Sequence, residues 1–154
     1  MQKIKTFLTF DGRAEEAVKF YTSLFDDSKI LGIERYTDGP QKGTVMGASF
    51  VLNGQEFMAM DVPGGFPKGE GVSLYVDCKT QEEVDHLWEK LSEGGEEQPC
   101  GWLRDKYGFS WQIIPSALPE LIAQNEGEKK MAVINAMLGM KKIDIAGLEK
   151  AAQG

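Results

Sequence analysis

The chain has 154 residues and a mass of 17.0 kDa, which suits one domain or two small modules sharing a core. Its hydrophobic share of 42% and charged share of 27% are those of an ordinary globular protein. With 24 acidic against 17 basic residues, the net charge of −7 excludes a surface built for nucleic acid or for an anionic membrane. No apolar run reaches the roughly 20 residues that a membrane span needs, and the opening MQKIKTFLTF lacks a signal-peptide core. Cys78 and Cys100 make no disulfide framework. The expectation is a cytoplasmic protein with both thiols reduced.

The first predicted elements lie in FLTFDGRAEEAVKFYTSLF, residues 7–25. Alternation up to Asp11 predicts a half-buried strand. The helix that follows carries Ala14, Ala17, Val18, Tyr21, Leu24 and Phe25 on one face, with Asp11 as its N-cap. Strands KILGIERY and TVMGASFVLN come next, and the Asn53-Gly54 pair signals a hairpin into QEFMAMD.

The pattern then repeats. SLYVDCKTQEEVDHLWEKL, residues 73–91, opens with alternation ending at Asp77. Thr80 and Glu83 form a capping box, and Val84, Leu87, Trp88 and Leu91 mark the apolar face of a second helix. Tyr21 and Trp88 hold matching places, where each seals helix to sheet. Strand parity turns Phe10 and Val76 toward their helices. Gly94-Gly95 ends the second helix, and QPCGWLRD and FSWQIIP follow as strands joined by the KYG turn. Both halves read strand, helix, then two or three antiparallel strands. The fold class is α+β, a duplicated βαβββ module over residues 1–116, with modules at about 1–62 and 71–116. Residues 117–154 read as a tail of two or three short helices. Met131, Ile134, Met137 and Leu138 form an apolar stripe serving as core or dimer contact, and Asp144 caps the last helix.

No GxGxxG, P-loop, HExxH or GxSxG pattern occurs. The cluster GGFPKGEG has the wrong spacing for a phosphate loop and reads as a mobile segment. Cys100 near Arg104 is assigned to packing, and the single histidine, His86, to the helix surface beside Asp85.

FDGRAEEAVKFY, NGQEF, the long motif from Thr80 to Pro115 and the tail MLGMKKIDIAGLEKA together are familiar. The chain resembles the vicinal-oxygen-chelate superfamily, which includes glyoxalase I, extradiol dioxygenases and the bleomycin- and fosfomycin-resistance proteins. Within it, the chain resembles the PhnB-like subfamily, which carries the inherited label of a demethylubiquinone methyltransferase. The resemblance implies that paired modules curl into a half-open mixed sheet around a cavity. It also implies a divalent metal held by histidines and glutamates on facing strands, the last from a D-x-x-G-x-x-x-E hairpin. Here that hairpin runs from Asp105 to Gln112, so Gln112 stands in the glutamate's place. The remaining ligand places fall at Lys5, Met58 and Gly71. None is a good donor, so no metal and no cofactor are expected. The methyltransferase label also lacks the glycine-rich turn of a cofactor-binding parallel sheet.

The cavity the resemblance implies is lined by Phe7, Thr9, Met58, Met60, Ser73, Tyr75, Trp102 and Gln112. Apolar and aromatic walls with a few polar groups describe a small-molecule pocket, and the same residues would also serve as plain core filling. Gln112 is expected to act as a neutral polar anchor, bonding a ligand or Thr9 and Ser73. The expected function is metal-free binding of a small aromatic or apolar molecule by a homodimer. The alternatives are a superfamily enzyme, metal-dependent or using Tyr75 or Asp105 as proton carrier, and a dimeric scaffold without ligand.

Overall fold

The computed structural model describes residues 2–154. The chain divides into two units, Met1–Pro67 and Lys68–Gly154. Each carries one four-stranded mixed sheet, which bears out the α+β duplication.

In the first unit, strand β1 (Thr6–Phe10) leads into helix α1 (Ala14–Leu24). Strands β2 (Lys29–Arg35), β3 (Val45–Leu52) and β4 (Gln55–Asp61) follow, giving the sheet order β1-β4-β3-β2. Alternation works as expected: Leu8, Phe10, Phe57 and Ala59 are buried against α1, which contributes the buried Ala14, Ala17, Val18 and Tyr21. Burying side chains of this size stabilises by roughly 1.5–3 kcal/mol each for the larger ones. Asn53 (φ 48°) and Gly54 (φ 83°) both adopt left-handed backbone, as the two-residue β3–β4 turn requires.

The first N-cap is a correction. The residue at the cap position is Arg13, which makes no side-chain capping bond. Asp11 is committed elsewhere, accepting the Gly64 N–H at 3.0 Å. The helix start is closed from across the unit by Asp61, buried at the end of β4. Its Oδ1 accepts the Ala14 N–H and its Oδ2 the Val45 N–H, both at 2.9 Å. A carboxylate at a helix N-terminus also meets the positive end of the helix dipole.

The second unit repeats the plan with β5 (Leu74–Cys78), α2 (Gln81–Ser92), β6 (Glu96–Glu97), β7 (Trp102–Arg104) and β8 (Ser110–Pro115), in the order β5-β8-β7-β6. Thr80 caps α2 as expected, accepting the Glu83 N–H at 3.1 Å. The parallel ladders of the two units share one register. Thr6 pairs with Phe57 and Leu74 with Trp111, so Phe7–Met58 in the first matches Tyr75–Gln112 in the second. QPCGWLRD is not one strand. Pro99–Gly101 forms a single 3₁₀ turn with Cys100 (φ 63°) and Gly101 (φ 82°) left-handed. A Cβ on Gly101 would sit 2.7 Å from Ile114 Cδ1, so only glycine fits.

Helices α3 (Ala117–Gln124), α4 (Gly127–Leu138) and α5 (Ile145–Gln153) form the tail. Leu118, Val133, Ile143 and Leu148 pack with Ile114 of β8 in one buried cluster. Backbone bonds from Cys100 N–H to Met140 O and Gly101 N–H to Lys141 O, both 2.8 Å, fasten the tail to the 3₁₀ turn. The α4 stripe divides between core and surface, and the Asp144 cap fails. The buried residue of α4 is Val133, with Ala136 and Met137 beside it, while Met131 and Leu138 are exposed. Asp144 occupies the cap position of α5 without a capping bond; the Ile145 N–H donates instead to Gln81 Oε1 at 2.8 Å. Among the described residues no helix is long and apolar enough to cross a membrane.

Candidate functional site

In each sheet one face packs on its helix and the alternate side chains project from the other. In the first unit Phe7 and Thr9 of β1 lie beside Met58 and Met60 of β4 on that second face; Phe7 is exposed and the rest are half-buried. In the second unit Tyr75, Trp102 and Gln112 are cross-strand neighbours, since Gln112 pairs with Tyr75 on one side and Trp102 on the other. Ser73 joins them through Gln112 Nε2, which donates to Ser73 Oγ at 2.9 Å. The other end of the amide has no protein partner among the described residues.

An open cleft of about 230 Å³ lies on this face of the second sheet, walled by Tyr75, Trp102, Gln112 and Ile114. Its far wall is Leu118, Pro119 and Ile122 of α3 and Met137 of α4, with Cys100 at the kinked turn. Sequence reasoning assigned the tail no part in the site. The only available signal was that Met137 stood on an apolar stripe, and a stripe does not say what it covers.

Hairpin geometry fixes where Gln112 stands. Asp105 is buried at the head of the β7–β8 turn. Its Oδ1 accepts the N–H groups of Tyr107 (2.9 Å) and Phe109 (3.0 Å), and its Oδ2 accepts Trp111 Nε1–H (2.8 Å). This corrects its candidacy as a proton carrier: a buried carboxylate committed to three donors is a structural clamp. Tyr75 is 54% exposed. Desolvation, followed by the charge of Asp77 and then Cys78, raises its phenol above the usual range, so at neutral pH it can give a proton but not take one. His86 is on the exposed surface of α2. Burial first, then the nearby Glu83 and Asp77, pushes the Cys78 thiol up to about 12, so it is inert at neutral pH.

A divalent cation does not fit the donors. The four places the resemblance assigns to ligands hold Lys5, Met58, Gly71 and Gln112, which offer one neutral amide oxygen and no carboxylate or imidazole. Lys5 Nζ faces Glu56 Oε2 at 3.2 Å. Among the described residues no group of three His, Cys, Asp or Glu side chains could hold a metal.

Two strand–helix–three-strand units with a shared register, each ending on a β-hairpin, define a vicinal-oxygen-chelate fold. The profile of the family described as 3-demethylubiquinone-9 3-methyltransferase matches residues 2–114, and the chain belongs to that family. A solved structure described as a putative 3-demethylubiquinone-9 3-methyltransferase, PhnB protein, from Bacillus cereus is 49% identical over 75% of this chain and 100% of its own, with a TM-score of 0.71. Protein PA1353 from Pseudomonas aeruginosa shares the fold at 23% identity and TM-score 0.63, over 75% of this chain and 98% of its own. The fosfomycin resistance protein FosX from Listeria monocytogenes, solved with Mn(II) and sulfate, shares it at 15% identity and TM-score 0.51, over 72% of this chain and 90% of its own. No curated protein matches the chain.

Proposed function

We propose that the chain binds a small, aromatic or apolar molecule in the cleft of the second unit, without a metal. The observation that carries this is Gln112: a half-buried amide bonded at one end to Ser73, with its other end unpaired between the Tyr75 and Trp102 side chains. An amide holds its place on an apolar face without the cost of a buried charge, several kcal/mol for an unpaired carboxylate. It offers both a donor and an acceptor to whatever enters. Apolar walls with one convergent polar group are the general form of a small-molecule site. The family's name points to methyl transfer, but each sheet has only one parallel pair and lacks the doubly wound layout that usually houses such a cofactor. We carry the homodimer in the same proposal, since exposed Met131 and Leu138 on α4 offer a second copy an apolar contact.

Gln112→Met tests the role of the amide. The substitution conserves length and apolar packing, and Ser73 is exposed enough to bond water, so folding should change by less than about 1 kcal/mol. In a screen of small aromatic compounds by thermal shift and titration, affinity should fall by roughly 1–3 kcal/mol because a ligand group loses its partner. A large loss of stability with unchanged affinity would make Gln112 structural and remove the reading.

A further inference from the structure

The face that carries Gln112 also carries a guanidinium. Residues alternate along β7, so Trp102 and Arg104 project to the cleft side while Leu103, fully buried, faces α2. Arg104 pairs with Ser110, two residues along the ladder from the Trp102–Gln112 pair and on the same face. Among the described residues two buried side-chain atoms lack a hydrogen-bond partner, Glu56 Oε2 and Arg104 Nε. Glu56 Oε2 already faces the ammonium of Lys5. Arg104 Nε is covered but has neither a hydrogen bond nor an ion-pair partner among the described residues.

Among the described residues the one ion pair that Arg104 makes is with Glu70, whose side chain is 69% exposed on the segment before β5. Such a pair contributes little to stability, about 0–1 kcal/mol, and can open without disturbing the fold. At the other end of the same face stands an acid that already has a cationic partner. Asp77 pairs with Ile114, its carboxylate held by Ser116 Oγ–H and Lys79. Ser110 and Ile114 are four residues apart on β8, so the two ends stand roughly 13 Å from each other. A molecule lying along β8 meets apolar walls at Ile114 and an amide at Gln112 in the cleft, and, beyond the residues that line it, the half-buried guanidinium of Arg104.

From this arrangement, and resting on the proposed ligand cleft, we infer that the ligand is a small aromatic carboxylate whose anionic group Arg104 receives in exchange for Glu70. Guanidinium and carboxylate match as a planar two-bond pair, and Nε with one terminal nitrogen is a fork that such a pair uses. Glu70 acts as a stand-in, neutralising Arg104 until a ligand displaces it.

The test compares indole-3-acetate with neutral indole-3-acetamide by calorimetric titration of the full chain. Wild type should bind the acetate roughly ten-fold more tightly than the amide, the difference shrinking as salt is raised. Arg104→Gln should abolish that preference while both compounds still bind. Glu70→Gln, on an exposed segment, keeps the question open to test if Arg104→Gln unfolds. Removing the competing carboxylate should tighten the acetate a few-fold, and no change or a weakening would overturn the inference. Equal binding of acetate and amide by wild type, or a preference that survives Arg104→Gln, overturns the carboxylate assignment and leaves the cleft standing. Binding of neither compound, nor of any aromatic in the wider screen, removes both.

Discussion

Asp105→Asn probes how the second sheet holds its site. In the wild type the Asp105 carboxylate is 2% exposed and takes two backbone N–H groups on Oδ1 and the Trp111 indole N–H on Oδ2 at 2.8 Å. The amide keeps a carbonyl for the backbone pair but turns its NH₂ toward the indole. One hydrogen bond to a charged acceptor is lost, worth roughly 1.5–3 kcal/mol, and a buried indole N–H is left unsatisfied, about 1–3 kcal/mol. The two costs overlap, so the expected loss is about 3 kcal/mol. At about 2–4 °C per kcal/mol for a chain of this size, the melting temperature should fall on the order of 10 °C. Trp88, Trp102 and Trp111 all lie in the second unit, so a urea melt followed by tryptophan fluorescence reports that unit alone. Repeating the measurement in a Trp111→Phe background separates the indole bond from other effects, because no indole N–H remains to be stranded. Asp105→Asn should cost less there by roughly 1–3 kcal/mol. An equal cost in both backgrounds would refute the clamp.

The two thiols should behave differently: at pH 8 in the folded protein a disulfide reagent should titrate Cys100 alone, and both cysteines once urea is added, since Cys78 is fully buried. The folded Cys78 thiol, raised from 9.0 to about 12, favours its neutral form, so the stability it lends is complete below pH 9 and drains away as pH climbs toward 12. A urea midpoint unchanged between pH 8 and 10.5 in wild type relative to Cys78→Ala would contradict this. Light scattering should give twice 17.0 kDa at micromolar concentration, and Leu138→Lys should shift it toward the monomer; a wild-type monomer throughout refutes the dimer.

What the sequence made legible was mainly local. The Thr80 cap, the Asn53-Gly54 turn and the buried helix faces at Val18 and Leu87 depend on neighbours within four residues, and spacing encodes them. The repeat carried the register as well, which is how Met58 and Gln112 came to be matched before the ladders showed it. Contacts across long stretches of chain were not visible. Asp61 reaches Ala14 over 47 residues, and nothing near Ala14 announces that its own Asp11 will turn to Gly64 instead. The α4 stripe did not tell its core part from its surface part, for a related reason. Met131 and Leu138 continue the helical period of Met137, but the surface offered by Ile114 and Leu118 is short, and helix periodicity does not report the extent of the partner. In the site, strand alternation placed Tyr75, Trp102 and Gln112 on one face and anticipated Ser73 as the partner of the amide. It passed over Arg104, two residues further along β7, because an arginine on a strand reads as a solvated edge until its Nε is seen buried.

The tail's position has a consequence for how such a site changes over time. The sheet side of the cleft is held by ladder bonds and the Asp105 clamp, so its backbone has little freedom to move. The opposing wall, Ile122 and Met137, sits on helices that follow the stretch matched by the family profile. It is joined to the second module by the buried cluster around Ile114 and by polar fastenings that include Ser116 to Asp77 and Cys78, Gln81 to Ile143 and Ile145, Lys142 to Asp85, and the 3₁₀ turn to Met140 and Lys141. Trading a side chain on that wall resizes the space above Gln112 and leaves every strand pairing as it was. Selection can therefore adjust what fits by editing an appendage, while the duplicated framework beneath it stays fixed.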